Sequence, residues 1–167
     1  MRKALTCIAA AACAFASAGA LWEGTESRLG RTMWEAAEAQ VLTEAISIPA
    51  KPLFGRLRPA QSGGDPCQWG HGSQGHSFPS EEAGVAAALV TPWVLQYGPS
   101  NPAAYAWLLL PAYIGAGRIK NQAHWQTDVL AGWAIGGAMG WMEHSRDRPF
   151  VLALLPGGAF IGFHKRF

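Results

Sequence analysis

Residues 117–128 read Gly-Arg-Ile-Lys-Asn-Gln-Ala-His-Trp-Gln-Thr-Asp, and the rest of the chain is best read outward from them. Arg118 closes one apolar segment, while His124 and Asp128 open the next. Side chains four apart stack on one helical face, so this spacing predicts that the Asp128 carboxylate reaches the His124 imidazole. A carboxylate on one ring nitrogen fixes the tautomer and frees the other nitrogen to attack an electrophile. Arg118 adds a planar, permanently charged fork suited to phosphate oxygens. A plainer reading fits the same residues: a helix N-terminus with an i,i+4 hydrogen bond. On this stretch alone both readings stand.

Upstream, Lys51 and Arg58-Pro59 are separated by six residues in a short segment rich in Pro, Gly and Arg. Ser77-Phe78-Pro79-Ser80-Glu81-Glu82-Ala83 then opens an apolar helix. Three cations, a serine at a helix N-terminus and a histidine with an aspartate therefore arrive in order, each beside a predicted helix end. Backbone N–H groups at such an N-terminus bind oxyanions unaided.

The segments between these groups read as helices. Thr32-Met33-Trp34-Glu35 matches a capping box, and Met33, Ala37, Val41 and Ala45 recur every four residues. The pattern predicts an amphipathic helix from about residue 33 to Ile48, stopped by Pro49. Residues 60–79 are dense in Gly, Ser, Gln and Pro, with His71 and His76, and read as a long loop. No charge occurs from Ala83 to Gly117, and Pro99 and Pro102 divide that run. Each apolar segment, including 129–142, is shorter than the roughly twenty residues that span a bilayer. Pro92 and Pro111 are expected to kink their helices. The expected fold is all-α, a compact helical bundle, with contact to a membrane left open. Residues 151–155 and 159–163 flank Pro156-Gly157-Gly158 and suggest a C-terminal β-hairpin.

Half of the 167 residues are hydrophobic and 14% are charged. Arg2 and Lys3, the apolar run that follows and Ala16-Ser17-Ala18 have the form of an export signal. The expected division is residues 1–18 as signal, 19–148 as helical domain and 149–167 as hairpin or tail. Removal of Arg2 and Lys3 from the 13 basic residues would balance the 11 acidic ones. No Lys/Arg cluster marks a nucleic-acid surface. Cys67 would remain as a lone thiol, with no cysteine pair at zinc-binding spacing.

The three groups together resemble the phosphatidic acid phosphatase type 2 and vanadium haloperoxidase superfamily. That pattern is Lys-x6-Arg-Pro, then Pro-Ser-Gly-His, then Ser-Arg-x5-His-x3-Asp. The first part is complete as Lys51, Arg58 and Pro59; the third as Arg118, His124 and Asp128, with Gly117 where Ser is usual. The resemblance covers residues 51 to about 142. It implies an acid phosphatase/vanadium haloperoxidase type of bundle in which Lys51, Arg58, Ser80 and Arg118 hold phosphate. His124 would be the nucleophile, giving a phosphohistidine, with Asp128 orienting it. No metal or cofactor is implied. The substrate would be a phosphomonoester or pyrophosphate, including lipid-linked ones, handled by an exported, periplasmic protein.

The second part departs from the pattern. Glu81 replaces Gly, and Glu82 replaces the His that protonates the leaving group. A carboxylate about 5 Å from one phosphate charge costs about 3 kcal/mol at an effective dielectric of about 20. Three outcomes follow: Glu82 acts as the general acid, His76 or His71 swings in, or the glutamates pair with the cations. The last leads to the alternative function, a noncatalytic envelope-associated binding protein on the same scaffold. A further alternative has Glu82, His124 and Asp128 binding a divalent cation.

Overall fold

The structure is a computed structural model that describes residues 26–146, the single position Gly19, and the backbone of two strands beyond them. The expected signal segment, residues 1–18, lies outside the described residues. Four α-helices form the described bundle: α1 Arg28–Phe54, α2 Glu81–Tyr97, α3 Leu109–Lys120 and α4 Gln126–Ser145. Short 3-10 turns at Gly72–Gln74 and Pro102–Leu108 precede α2 and α3. The all-α reading holds. Among the described residues no helix is long and apolar enough to cross a membrane.

Helix α1 is longer than its sequence pattern suggested. Ser27, not Thr32, caps it, taking the Gly30 N–H at 2.9 Å. Pro49 and Pro52 both lie inside it. A proline removes one ladder bond, but the chain turns only where Gly55 enters the left-handed region at φ 54° and donates its N–H to the Lys51 carbonyl. A side chain at Gly55 would lie 2.4 Å from the Gly72 nitrogen, so the loop folds directly back on the helix end. Phe54, Trp69 and Phe78 pack ring against ring beside this contact, with centroids 4.9–6.2 Å apart.

The buried face of α1 keeps Met33 from the expected stripe but otherwise turns away from it. Val41 is 45% exposed, whereas Met33, Ala36, Ala39, Gln40, Thr43 and Ser47 are buried. Small residues were chosen over large ones because α1 approaches α2 closely. A side chain at Gly84 of α2 would meet the Thr43 methyl at 3.0 Å. The Thr43 hydroxyl stays satisfied by donating to the Ala39 carbonyl at 2.7 Å.

Helix α2 lies at the centre, packed against the other three. Its contact with α4 runs along Gly132, Gly136 and Gly140, spaced one turn apart. A side chain at Gly136 would fall 1.9 Å from the Gly84 carbonyl oxygen, and one at Gly132 would fall 2.3 Å from that of Ser80. The two backbones therefore touch, and that contact fixes where the first turns of α2 and α4 sit relative to each other. Pro111 falls in the first turn of α3 rather than mid-helix, where its missing N–H breaks no ladder bond.

Beyond the bundle, β1 Val151–Leu155 pairs antiparallel with β2 Gly158–Gly162, Leu155 opposite Gly158. The hairpin has the expected place, its second strand beginning one residue earlier.

Candidate active site

Four helix ends and one loop meet at a single place. Lys51 comes from the last turn of α1, Arg56 and Arg58 from the loop after it, and Ser80, Glu81 and Glu82 from the start of α2. Arg118 comes from the last turn of α3, and His124 and Asp128 from the start of α4.

His124 lies just before α4, whose N-cap is Trp125, and is 3% exposed. Its Nδ1 lies 2.6 Å from the Ser77 carbonyl oxygen. A carbonyl can only accept, so Nδ1 carries the proton and Nε2 holds a lone pair. Nε2 faces the Arg118 guanidinium at 3.4 Å. Burial drives the His124 pKa from 6.5 down to about 3. The Ser77 hydrogen bond opposes that shift, and the charges of Arg118, Arg58 and Lys51 add to it. All three cations thus act electrostatically on the one imidazole, and Arg118 touches it.

The expected carboxylate–imidazole pair is not formed. His124 precedes the helix, so the i,i+4 geometry does not apply to it. Asp128 is the third residue of α4 and closes a capping box, its Oδ2 taking the Trp125 N–H at 2.8 Å. The same oxygen accepts from the Ser77 hydroxyl at 2.5 Å, and Oδ1 accepts from Arg56 at 2.5 Å. Asp128 thus holds Ser77, and Ser77 holds His124.

Arg56 was missed by the sequence reading. It is 4% exposed and also bonds the Thr127 hydroxyl at 2.7 Å and the Pro66 carbonyl at 3.0 Å. Its guanidinium carbon lies 4.4 Å from the Trp69 ring centroid and 5.3 Å from that of Trp125. Two aromatic faces and a buried carboxylate make it a structural cation that pins the loop to α4. Its signal was its place two residues before Arg58. Ser77 had no side-chain signal, because the group that holds His124 is its carbonyl.

Both glutamates pair with cations of the site. Glu81 pairs with Lys51, and Glu82 pairs with Arg118 at 2.5 Å. Glu44 stands nearby: burial and the Glu81 charge raise its pKa, against the pull of Lys51. Arg58 makes no ion pair among the described residues. His71 and His76 are exposed on the loop, and His71 bonds Gln68 at 3.1 Å, so neither replaces the absent histidine.

Ser80 is fully buried, and its hydroxyl has no partner among the described residues. Its own N–H goes to the Asp128 carbonyl at 2.9 Å, and the first ladder bond of α2 runs from Gly84 to Ser80. The N–H groups of the first turn, beside an orphaned hydroxyl, make an anion-binding end. Glu82, His124 and Asp128 do not form a metal-ligand set: among the described residues no group of three or more His, Cys, Asp or Glu side chains could hold a metal ion. Asp128 is already fully engaged.

Helix-end N–H groups, several cations and a neutral, buried histidine thus gather at the helix ends of one bundle. The chain belongs to the PAP2 superfamily, whose family model matches residues 32–150. It is similar to a lipid A 1-phosphatase of Porphyromonas gingivalis, 30% identical over 116 residues, which are 69% of this chain and 24% of that protein. The chain thus spans about a quarter of that relative's length. No solved structure matches it.

Proposed function

We propose that this chain hydrolyses lipid-linked phosphate, as a phosphomonoester or pyrophosphate, through a phosphohistidine on His124. The observation that carries the reading is the state of that residue. It is a neutral imidazole whose Nε2 lone pair faces Arg118, with the charges of Arg58 and Lys51 acting on the same ring. In the proposed reaction the three cations, the Ser80 hydroxyl and the first N–H groups of α2 hold the phosphate oxygens. Nε2 attacks phosphorus as the bond to the leaving oxygen breaks, and Glu82, displaced from Arg118 by the incoming phosphate and protonated there, donates its proton to that oxygen. Water then attacks phosphorus while giving a proton to the Glu82 carboxylate, the N–P bond breaks with its electron pair returning to Nε2, and inorganic phosphate departs. The work of the protein is positioning and charge stabilisation of the equatorial oxygens. Asp128 acts as a positioning residue through Ser77.

Lipid-linked substrates are supported by the name of the similar protein and by large apolar side chains left exposed on the bundle, among them Leu53, Leu109 and Trp141 at 61–78%. These support a seat at a membrane surface for an exported, periplasmic protein.

A second reading rests on the ion pairs of Glu81 and Glu82. Carboxylates on Lys51 and Arg118 occupy two of the three phosphate cations, as expected of a noncatalytic binding protein that keeps the scaffold. Phosphate release from alkyl and lipid phosphates, measured for the parent and for His124→Ala, separates the two. The hydrolase reading expects turnover that disappears in His124→Ala. Equal turnover in both sinks the phosphohistidine route, and none in the parent at any pH favours the noncatalytic scaffold.

A further inference from the structure

Below the phosphate site α2, α3 and α4 form a cavity, half open to solvent, of about 290 Å³ lined by Val90, Thr91, Pro111, Ala112, Trp133 and Gly137. The lining is apolar apart from Thr91, whose hydroxyl is engaged with the Ala87 carbonyl at 2.8 Å, and Trp133. The Trp133 indole N–H is buried and has no partner among the described residues.

Its position relative to His124 follows from the helices. At about 1.5 Å of rise per residue, Ala87 lies roughly 10 Å along α2 from Ser80, and Pro111 lies the same distance along α3 from Arg118. Trp133 and Gly137 lie about 12 and 18 Å along α4 from its N-cap Trp125, the residue after His124. All three helices have one end at the phosphate site, so the cavity begins about 10 Å beneath it. Leu108, 47% exposed, also lines it, and the neighbouring Trp107 and Leu109 are 53% and 71% exposed.

Gly137 carries the argument further. The glycines that face α2 are Gly132, Gly136 and Gly140, where a side chain would strike backbone or Thr91 within 1.9–2.6 Å. At Gly137 a Cβ would meet only the Thr91 hydroxyl oxygen, at 4.0 Å. Helix packing does not require glycine there, and glycine weakens a helix interior. What the missing side chain preserves is the empty space.

We infer that this cavity holds the hydrocarbon chain of the substrate whose phosphate lies at His124, an inference that rests on the phosphatase reading. The small, smooth lining suits a flexible alkyl or acyl chain. The Trp133 N–H offers a donor to an ester or amide oxygen on it. The depth of about 10 Å sets the distance between head and chain.

Two measurements on the full chain test it. The first is the ratio of kcat/KM for dodecyl phosphate to that for ethyl phosphate, in the parent and in Gly137→Leu, which fills the cavity without touching backbone. The parent should favour the long chain, and Gly137→Leu should lower the ratio at least tenfold. A parent ratio near one, or a ratio unchanged by the substitution, overturns the inference while leaving the phosphatase reading intact. The second is quenching of tryptophan emission by a dodecyl phosphate brominated along its chain. It decides the matter even if the protein turns over neither ester, an outcome that removes the phosphatase reading alone. Quenching should shrink in Trp133→Phe and need at least tenfold more ligand in Gly137→Leu. Equal quenching in parent and Gly137→Leu would place the chain on the exposed apolar rim, or on a second copy's face, and overturn the cavity as its seat.

Discussion

His124 donates its Nδ1–H to the backbone carbonyl of Ser77 at 2.6 Å, so the histidine is oriented by main chain and not by a carboxylate. Asp128 reaches it only through the Ser77 hydroxyl, and Arg56 braces Asp128 from behind. The order of importance of these residues follows from that sequence of contacts.

Ser77→Ala removes a hydroxyl but leaves the carbonyl that holds the imidazole. Its kcat on an alkyl phosphate should fall by less than about tenfold, because the tautomer-fixing bond persists. A loss as deep as that of His124→Ala would mean that the hydroxyl, and not the carbonyl, controls the ring.

Asp128→Ala is expected to act first on stability. The Arg56–Asp128 pair is nearly sealed, with side chains 5% and 0% exposed. Removing one member of such a pair strands the other charge and costs about 3–5 kcal/mol. Urea denaturation of Asp128→Ala, Arg56→Met and the double variant should show strong coupling. Additive losses would show that the two groups do not depend on each other.

The depressed pKa of His124 makes a prediction about acid. The unfolded chain takes up a proton on this ring near pH 6.5, and the folded protein does so only near pH 3. Between those values the unfolded state binds more protons, so the contribution of this residue is present above pH 6.5 and is lost as pH falls toward 3. Glu35 and Glu143, whose pKa values burial raises, act in the opposite direction when they protonate. The difference in urea midpoint between parent and His124→Gln isolates the imidazole. It should shrink steadily from pH 7 to pH 4, and a difference independent of pH would show that the ring is not held neutral by the fold.

Glu81→Gly with Glu82→His frees Lys51 and Arg118 for phosphate. The carboxylates are 27% exposed, but Lys51 is 18% and Arg118 8% exposed, so leaving these cations without their partners should lower the melting temperature. Phosphate release, in contrast, should rise at least tenfold. If activity stays level while inorganic phosphate binds no more tightly by calorimetry, the carboxylates do not compete with substrate.

Neighbouring glycines of α4 should respond in opposite ways. Gly136→Ala forces a Cβ to within 1.9 Å of the Gly84 carbonyl oxygen and should destabilise by about 1–3 kcal/mol. Gly137→Ala meets nothing closer than 4.0 Å and should stabilise the helix by about 0.5–1 kcal/mol. Thermal melts of the two variants check this, and equal shifts would contradict the packing described for α2 and α4.

The helical class and the order of the site groups were legible along the chain. Those features are local: apolar runs, proline breaks, and charged residues at fixed spacing beside helix ends. The boundaries and buried face of α1 were less legible. Its close approach to α2 favours Thr43 and Ser47 over Val41, and hydrophobicity alone points the other way. Only the tertiary structure decided which partner each site residue takes. Asp128 went to Arg56 and Ser77, His124 to a carbonyl 47 residues earlier, and Glu81 and Glu82 to Lys51 and Arg118. Spacing along a chain says which side chains share a helical face. It does not say which groups from other helix ends arrive to compete for them.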